Sequence, residues 1–408
     1  MCKQNKAIWS FIIAIGFLLL SYYMTNLDFP ISGEKFLLYR FELVKNYLFP
    51  RENTVNDSIL LIDVSYDKIP VKVTDEYDIP MGDIQITNRQ KLLVLLQELK
   101  KRNDYKYIML DVFFGQKGKT PQDSALYETI CSMDRIAVPC HSGEALADSS
   151  LKEKAGLADY TTTYKVSGFA KYPFMPDGGI SLPLKMYEDM TGRTIRKHWF
   201  VFTDGWRLVR KSIVLTFDIN ANSAYNAEGE KVWCYLGADI LGNEDERGLL
   251  YEIPELTKDK YVAIGAFQGD DSHSTYIGSV CGTLINLNAY FSLLHNHHVV
   301  SMSLVTILFL AFFVLAYLTL TRQDLRGLVD SMTQSQKYKW RTRMMTLSAL
   351  CSWIGYSLFL TILCILTYVF LGEVYEIFIT STMFYLLSLA VKYTDNFKKL
   401  SKLWKRKS

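Results

Sequence analysis

The chain has 408 residues, of which 49% are hydrophobic, and its mean hydropathy is slightly positive. These values argue against a wholly soluble protein and indicate that part of the chain lies in a membrane. Seven cysteines do not make a disulfide-rich scaffold at this length, and a net charge of +3 gives the whole chain no strongly basic character.

Apolar segments near both ends of the chain are suited to crossing a bilayer as helices. The sequence predicts four spans, at 7–24, 299–321, 344–372 and 374–391. The first span completes an N-terminal segment, 1–24, whose basic start at Lys3 and Lys6 also fits a secretory signal peptide. Its long apolar stretch and the lack of a small-residue cleavage site favour an uncleaved anchor. The fourth span is the shortest of the later ones and carries Glu376 near its start.

Basic residues concentrate beside the predicted spans. The N-terminal stub, the loop 322–343 and the tail 392–408 hold 15 of the 45 basic residues but three of the 42 acidic ones. The positive-inside rule assigns these regions to the cytoplasm, which four spans allow, and leaves the domain 25–298 outside. Basic runs next to membrane helices serve topology and contact with anionic lipids, so no nucleic acid partner is predicted.

The outer domain opens with a strand, a helix and a second strand. The apolar run in "SILLIDVSYD" is typical of a strand buried on both faces. A helix follows in "TNRQKLLVLLQELKKRN", with Thr87 as its predicted N-cap, and "YKYIMLDVFFG" is the next buried strand. The usual right-handed crossover makes the two strands parallel.

The same alternation continues to the end of the outer domain. "DSALYETICSM" predicts a helix and "RIAVPC" a strand, whereas 145–255 favours hairpins, loops and one inserted helix. "KYVAIGAF" is the last buried strand, and "SVCGTLINLNAYFSLLHN" is a helix that leads to the second span. The predicted fold class is an α/β domain, with a mostly parallel sheet flanked by helices, plus four transmembrane helices.

Four of the seven cysteines lie in the outer domain. They are Cys131, Cys140, Cys234 and Cys281. An oxidising compartment would allow them to pair, and Cys131 and Cys140 are close in sequence, but spacing alone does not determine which cysteines join.

The outer domain carries four sequence blocks in a distinctive order. They read "ILLIDVSYDKI", "RQKLLVLLQELKKRNDYKYIMLDVFF", "YVAIGAFQGDDSHST" and "CGTLINLNAYFSLLHNHHV", and three apolar spans follow. This combination resembles the second class of CHASE domain, the extracytoplasmic sensory domain of bacterial signalling proteins. The resemblance covers both ends of the outer domain and the membrane layout, whereas the middle of the domain matches no family pattern.

The resemblance implies a sensor of an envelope ligand or state whose closing helices relay a signal. It also implies the bacterial inner membrane, with the large domain in the periplasm and both termini in the cytoplasm. Related proteins commonly carry a cyclase or kinase after the last span, but the tail 392–408 and the loop 322–343 are too short to fold as one. We therefore expect a separate cytoplasmic or membrane output protein, and sensors of this layout often work as homodimers.

Two other classes of function stay open. One is a structural or accessory membrane subunit whose outer domain docks an envelope or secreted protein. The other is an envelope hydrolase, which would depend on Asp63, Asp111 or Asp270. The sequence has neither a GxSxG elbow nor an HExxH helix, so we predict no enzymatic activity and no cofactor.

Acidic residues follow the predicted strands of the outer domain. In an open parallel sheet, ligands bind at the carboxyl ends of the strands, where carboxylates from neighbouring strands can converge. The candidate rim for a ligand or cation consists of Asp63, Asp67, Asp111, Asp270, Asp271 and His273. The alternative is that these carboxylates cap the turns and helices that follow the strands.

A cluster of histidines lies where the last outer helix meets the second span. His295, His297 and His298 are close enough in sequence to hold a metal, or to change charge near pH 6.5 as a switch in signal relay. The less specific expectation places them in the hydrated headgroup zone of the membrane.

Overall fold

The computed structural model of the chain gives two compact units. It describes residues 3–27, 34–49, 58–74, 77, 79–115, 119–159, 171–176, 178–219, 225, 229–242, 250, 252–269, 271–323 and 338–404. One unit comprises Met1–Leu27, Phe41–Leu48 and Val299–Ser408, and the other comprises Asp28–Arg40 and Phe49–His298. We call them the membrane unit and the outer domain.

The described residues form ten α-helices and fifteen strands. The helices are α1 Lys3–Thr25, α2 Glu34–Leu48, α3 Arg89–Arg102, α4 Asp123–Cys131, α5 Leu182–Thr191, α6 Ile253–Thr257, α7 Gly282–Leu294, α8 Met302–Thr321, α9 Tyr338–Leu371 and α10 Phe378–Trp404. The strands are β1 Ile59–Asp63, β2 Lys68–Thr74, β3 Pro80–Thr87, β4 Tyr107–Asp111, β5 Ile136–Cys140, β6 Ala155–Leu157, β7 Lys171–Pro173, β8 Ile195–His198, β9 Val201–Asp204, β10 Arg207–Val209, β11 Ser212–Val214, β12 Trp233–Tyr235, β13 Tyr261–Gly265, β14 Ser272–Thr275 and β15 Gly278–Cys281.

Three helices of the membrane unit are long and apolar enough to cross a bilayer. These stretches are Asn5–Thr25, Met302–Thr321 and Leu350–Leu371. The membrane unit therefore contains three of the four predicted spans, and a fourth is not shown. Within the unit, α1 packs against α8, and α9 packs against α10.

The segment predicted as the fourth span, 374–391, becomes helical only from Phe378. The buried carboxylate of Glu376 caps that helix, because it accepts the N–H of Ile379 at 2.7 Å and of Thr380 at 3.2 Å. Lys392 then ends the apolar stretch, which leaves a helical segment of roughly 20 Å against a hydrocarbon core of about 30 Å.

A six-stranded sheet forms the centre of the outer domain and confirms the predicted α/β class. Its strand order is β12-β1-β13-β4-β5-β6, and every neighbouring pair is parallel. The predicted crossover from β1 through α3 to β4 is present, but β13 lies between its two strands. The last long apolar run of the domain thus pairs on both sides at the middle of the sheet.

Helices cover the faces of this sheet as their sequence periodicity requires. The helix α3 buries a row of leucines against it, namely Leu92, Leu95, Leu96 and Leu99. Full burial of a leucine side chain contributes about 1.5–3 kcal/mol, so this row is a large part of the core. The N-cap is Asn88, whose side-chain oxygen accepts the N–H of Lys91 at 3.1 Å, because β3 continues through the predicted cap, Thr87.

The helix α7 lies almost entirely inside the domain. Twelve of its thirteen residues are buried, so it has no solvent-facing side. It approaches β13 closely at Gly265, where a Cβ atom would come within 2.2 Å of the Thr283 hydroxyl oxygen. A glycine is therefore required at the end of this central strand.

The middle of the domain contains the predicted inserted helix, α5, and short hairpins, but one of its strands joins the central sheet. The strand β12 extends the parallel sheet beside β1, although we predicted hairpins and loops there. A separate three-stranded antiparallel sheet has the order β10-β9-β8. The four cysteines of the outer domain are free, and Cys131 and Cys140 are not joined.

Candidate functional site

A cavity of about 730 Å³ opens at the carboxyl edge of the parallel sheet. The ends of four strands reach it through Val64, Val112, Pro139 and Ala266. The helix α7 contributes Asn286 to its wall. The cavity therefore lies where ligands bind in open parallel α/β sheets, and its size is that of a small-molecule site.

Asp111, the last residue of β4, is the central carboxylate of this cavity. The pKa of Asp111 is raised to about 6. Burial is the main cause, and repulsion from the nearby carboxylate of Asp271 adds to it. The side-chain amide of Asn286 donates to Asp111 at 3.4 Å, which favours the ionised form. Asp111 can therefore gain or lose its proton close to neutral pH.

Asn286 connects this carboxylate to a second part of the domain. Its side-chain oxygen accepts the hydroxyl hydrogen of Tyr172, a fully buried residue of β7, at 2.8 Å. One side chain of α7 thus bridges the cavity and the protein interior. A change in the charge or the contacts of Asp111 would therefore act directly on α7 through Asn286.

Asp63 is used within the protein and does not line the cavity. It is completely buried and accepts hydrogen bonds from the Ser65 N–H at 2.8 Å and the Phe267 N–H at 3.3 Å. The Ser65 hydroxyl also donates to it at 2.5 Å. Asp63 therefore fixes the turn after β1 to the turn after β13, as the capping alternative predicts.

Asp67 lies in a separate recess of about 420 Å³ beside Tyr66 and Tyr235. It forms an ion pair with Lys91 and accepts the N–H of Gly237 at 3.0 Å. A Cβ at Gly237 would come within 2.3 Å of the Asp67 carboxylate, so this close approach also requires glycine. The carboxylate joins three chain segments.

Asp271 lies in the cavity wall and directly precedes the β14–β15 hairpin that leads to α7. Its carboxylate lies 3.1 Å from Nε2 of His273, and its carbonyl oxygen accepts the N–H of Gly282 at the start of α7 at 3.1 Å. The candidate rim residue Asp270 lies outside the described residues. Of the predicted rim, the structure brings Asp111 and Asp271 to one cavity, whereas Asp63 and Asp67 are held elsewhere by their own hydrogen bonds.

Basic groups also reach the cavity, and the sequence analysis missed them. Arg89, Lys68 and His141 line it. Nδ1 of His141 lies 2.9 Å from the Asp159 carboxylate. These residues are not adjacent in sequence. The one feature that could have indicated Arg89 is its place at the start of α3, at the edge of the sheet where the cavity lies.

Arg89 is the most enclosed of these cations. One of its terminal nitrogens donates to the Phe113 carbonyl oxygen at 3.3 Å, and Nε lies 3.8 Å from the Asp123 carboxylate. Burial lowers the pKa of Arg89, an effect that Tyr127 and Asp123 oppose. Nε and Nη1 have no hydrogen-bond acceptor among the described residues, so the guanidinium keeps unused donor capacity.

The candidate residues that the structure describes are not assembled into a metal site. Among the residues described, no group of three histidine, cysteine, aspartate or glutamate side chains is placed to hold a metal ion. Asp63 and Asp67 are held away from the cavity, so a ligand there meets the carboxylates of Asp111, Asp271 and Glu144 rather than the whole predicted rim.

The three histidines of the predicted switch occupy different environments. His295 and His297 are exposed, whereas His298 is completely buried, so the headgroup expectation is wrong for His298. The chain turns at Asn296, in the left-handed region, and returns His298 beneath β9 and β10. The carbonyl oxygen of His298 accepts the N–H of Arg210 at 2.8 Å.

Aromatic and acidic side chains enclose the His298 ring. Its centre lies 5.4 Å from that of Tyr187 and 6.4 Å from that of Phe174. Nε2 is 3.8 Å from the Asp204 carboxylate, which is too long for a hydrogen bond. Burial lowers the pKa of His298 to about 4, so this ring is neutral near pH 7 and does not titrate near pH 6.5.

Comparisons with protein-family models, with curated proteins and with solved structures find no match for this chain. The resemblance to CHASE domains therefore stays an expectation that depends on the four sequence blocks and on the span pattern.

Proposed function

We propose that this protein is a membrane-anchored sensor whose outer α/β domain binds a small envelope ligand in the cavity beside Asp111. The observation that carries the proposal is Asn286, which lines the cavity, donates to Asp111 and belongs to α7. The chain continues from α7, which ends at Leu294, to the span that starts at Met302. A ligand at Asp111 thus acts on the helix that leads into the membrane.

The carboxylates at Asp111 and Asp271 favour a cationic or hydrogen-bond-donating group on the ligand, and the unused donors of Arg89 can bind an acceptor elsewhere on the same ligand. The cationic or donating group would stabilise the ionised form of Asp111 and relieve its repulsion from Asp271. It would also compete with Asn286 for the Asp111 carboxylate. Because α7 is buried on all sides, a displacement at Asn286 moves the helix as a unit rather than bending one face of it.

We place the outer domain in the periplasm of a bacterium and both termini in the cytoplasm, with 374–391 as a fourth span. Because its apolar helix is shorter than the hydrocarbon core, this span requires local thinning of the bilayer or extension of the Lys392 side chain to the interface. The distribution of basic residues supports this topology. So does the packing of α10 within the membrane unit, where the Ser357 hydroxyl donates to that of Ser381 at 3.0 Å. Alkaline phosphatase fusions test it, with activity expected after 298 and none after 340 or 404.

The signal then passes to a separate membrane or cytoplasmic output protein, and the cavity binds without catalysis. Purification from native membranes tests the partner, and a kinase, cyclase or regulator that leaves the complex on ligand addition is the expected result. A permanent complex with an envelope protein and no ligand response would instead favour the accessory-subunit function. A hydrolytic activity lost on replacing Asp63, Asp111 or Asp270 would favour the hydrolase.

Ligand binding is tested with the full-length protein in lipid nanodiscs. Calcium, magnesium, spermidine and lysine are added one at a time, and thermal unfolding is followed. A ligand at 100 times its Kd stabilises by about 2.7 kcal/mol, which raises the Tm by several degrees. We expect this rise for at least one probe, with loss in Asp111→Asn.

The matched control is Glu128→Gln, a charge removal at an exposed position of α4 that should leave the response intact. Equal responses in the Asp111 and Glu128 variants, or no response to any probe in the unmodified protein, would contradict a cationic ligand at this cavity.

A further inference from the structure

The three-stranded sheet of the outer domain exposes large aromatic side chains at both of its turns. Trp199 and Phe200 form the turn between β8 and β9, and Gly205 and Trp206 form the turn between β9 and β10. Trp199 is 89% exposed and Trp206 is 93% exposed. Tryptophan is normally well buried in soluble domains, so neither side chain serves the core.

The backbone conformation of the first turn also argues against a structural role for Trp199. Trp199 has a φ of +58°, in the left-handed region that glycine and asparagine occupy more readily than bulky residues. A tryptophan there adds strain and buries almost nothing. Stability of the hairpin therefore does not explain the residue.

One face of this sheet is basic and partly apolar. The strand register pairs Arg196 with Thr203 and His198 with Val201, and it pairs Leu208 with Thr203. Side chains that are directly paired lie on the same face of a sheet. Arg196 and His198 are exposed and the other three are half-buried, so Arg196 presents a positive charge on this outward face between the two aromatic turns. The turns lie at opposite ends of β9, roughly 13 Å apart.

The opposite face is bonded to the segment that precedes the second span. Arg207 donates to the side-chain oxygen of Asn296 at 2.8 Å and forms an ion pair with Asp204. Asp204 lies against His298, and Arg210, just after β10, donates its N–H to the His298 carbonyl oxygen. The sheet is thus fixed within the outer domain to residues 296–298.

Chain length limits how far these residues can be from the membrane. Four peptide units connect His298 to Met302, and an extended chain covers at most about 14 Å over that length. The span from Met302 to Thr321 is about 30 Å long as a helix, which matches the hydrocarbon core. The headgroup layer outside that core is about 5–8 Å thick on each side. Residues 296–298, and the sheet bonded to them, are therefore held close to the headgroups.

We propose that the outward face of the β8–β10 sheet binds the anionic headgroup layer of the membrane that anchors this chain. Trp199 and Trp206 enter the interface, where tryptophan is enriched in membrane proteins. Arg196 and His198 of this face contact lipid phosphates. Exposed tryptophans, basic charge and a three-residue tether fit lipid better than a second copy, whose matching face would carry the same positive charge.

The contact is tested with the full-length protein in nanodiscs that contain either phosphatidylcholine alone or 30% phosphatidylglycerol. Trypsin cleavage after Arg196 and Lys197 is followed by mass spectrometry, with Lys100 and Lys101 of α3 as reference sites. We expect cleavage at the sheet to be about fivefold slower in the anionic discs and the reference sites to be unchanged. Equal cleavage at Arg196 and Lys197 in the two discs would overturn the proposal.

A second measurement does not depend on cleavage. Lipids brominated near the headgroup quench tryptophan fluorescence, and we expect the quenched fraction to fall in Trp199→Phe combined with Trp206→Phe, but not in Trp233→Phe of β12. Protection that appears only when two copies share a disc would assign this face to a homodimer and overturn lipid binding. Neither measurement involves the cavity, so the sensor proposal can fail while this one stands.

Discussion

The cavity around Asp111 and the enclosure around His298 both place an ionisable side chain inside the outer domain, but with different surroundings. Asp111 lines an open volume and faces a second carboxylate, and its pKa of about 6 keeps it responsive near neutral pH. His298 is surrounded by aromatic rings, and its pKa of about 4 keeps it neutral there. An ionisable group buried beside a cavity thus stays available to a ligand. A group buried among packed side chains has its pKa shifted out of the physiological range.

The pH dependence of the two groups has opposite sign. Asp111 has a raised pKa, so its contribution to stability is greatest at low pH and declines as pH rises from about 4 to about 6. His298 has a lowered pKa, so its contribution is complete above about 6.5 and declines as pH falls towards about 4. Substitutions at Asp111 and His298 should therefore change the pH profile of stability in opposite directions.

Replacing Asp204 by alanine should have the largest effect on stability. Asp204 accepts the hydroxyl hydrogen of Tyr187 at 3.1 Å and forms an ion pair with Arg207, and its side chain is 2% exposed. Removing it leaves the half-buried Arg207 cation without its ion-pair partner and the Tyr187 hydroxyl without this acceptor, which together cost about 3–5 kcal/mol. Thermal unfolding of the full-length protein should show a large fall in Tm, whereas Glu128→Ala should not. A fall in Tm equal to that of the control would contradict the enclosure described here.

Replacing His298 by leucine should flatten the acid side of the stability profile. The unmodified protein loses stability on the order of 3 kcal/mol from this residue as pH falls from about 6.5 to about 4, because the buried ring resists protonation. The charged groups nearest the ring are Asp204, Arg207 and His297. Tm values from pH 4 to 8 test this, with His295→Leu as the exposed control. An unchanged profile would show that His298 is protonated without difficulty.

Replacing Asp111 by asparagine should stabilise the protein at pH 7.5 by about 1–3 kcal/mol. The substitution removes a charge that burial and Asp271 disfavour, and an amide can still accept the hydrogen bond from Asn286. At pH 4 the gain should vanish, since Asp111 is already protonated there in the folded protein. The same unfolding measurements at the two pH values decide the matter, and a variant less stable at pH 7.5 would assign Asp111 a structural role.

Replacing Trp199 by asparagine should have the smallest effect, a gain of no more than about 0.5 kcal/mol. Asparagine tolerates the left-handed conformation better than tryptophan does, and the side chain that is lost buries little. Val201→Asn at the adjoining half-buried position is the comparison and should destabilise. A marked fall in Tm for the Trp199 variant in detergent would mean that this tryptophan supports the fold after all.

Sequence reasoning predicted the parts of the domain that depend on long apolar runs. The strands β1, β4 and β13 and the helices α3 and α7 follow from such runs, and the carboxyl-edge rule led to Asp111 and Asp271. Hairpins were predicted within 145–255, but the strands β8 to β10 have only three or four residues each and carry charges, so their weak periodicity did not define the individual strands. Arg89 and the burial of His298 depend on contacts between distant segments, which local patterns do not encode.

The central position of β13 also bears on how the protein is made. The strands β1 and β4 are not neighbours, and both pair with β13, which is synthesised shortly before the span that starts at Met302. Most of the outer domain must therefore leave the ribosome with two unpaired strand edges exposed. If the domain is exported as we propose, its sheet closes late, when translocation of the domain is nearly complete. A chain that terminates before Tyr261 would lack β13, so its central sheet could not form, and quality control in the envelope should remove it.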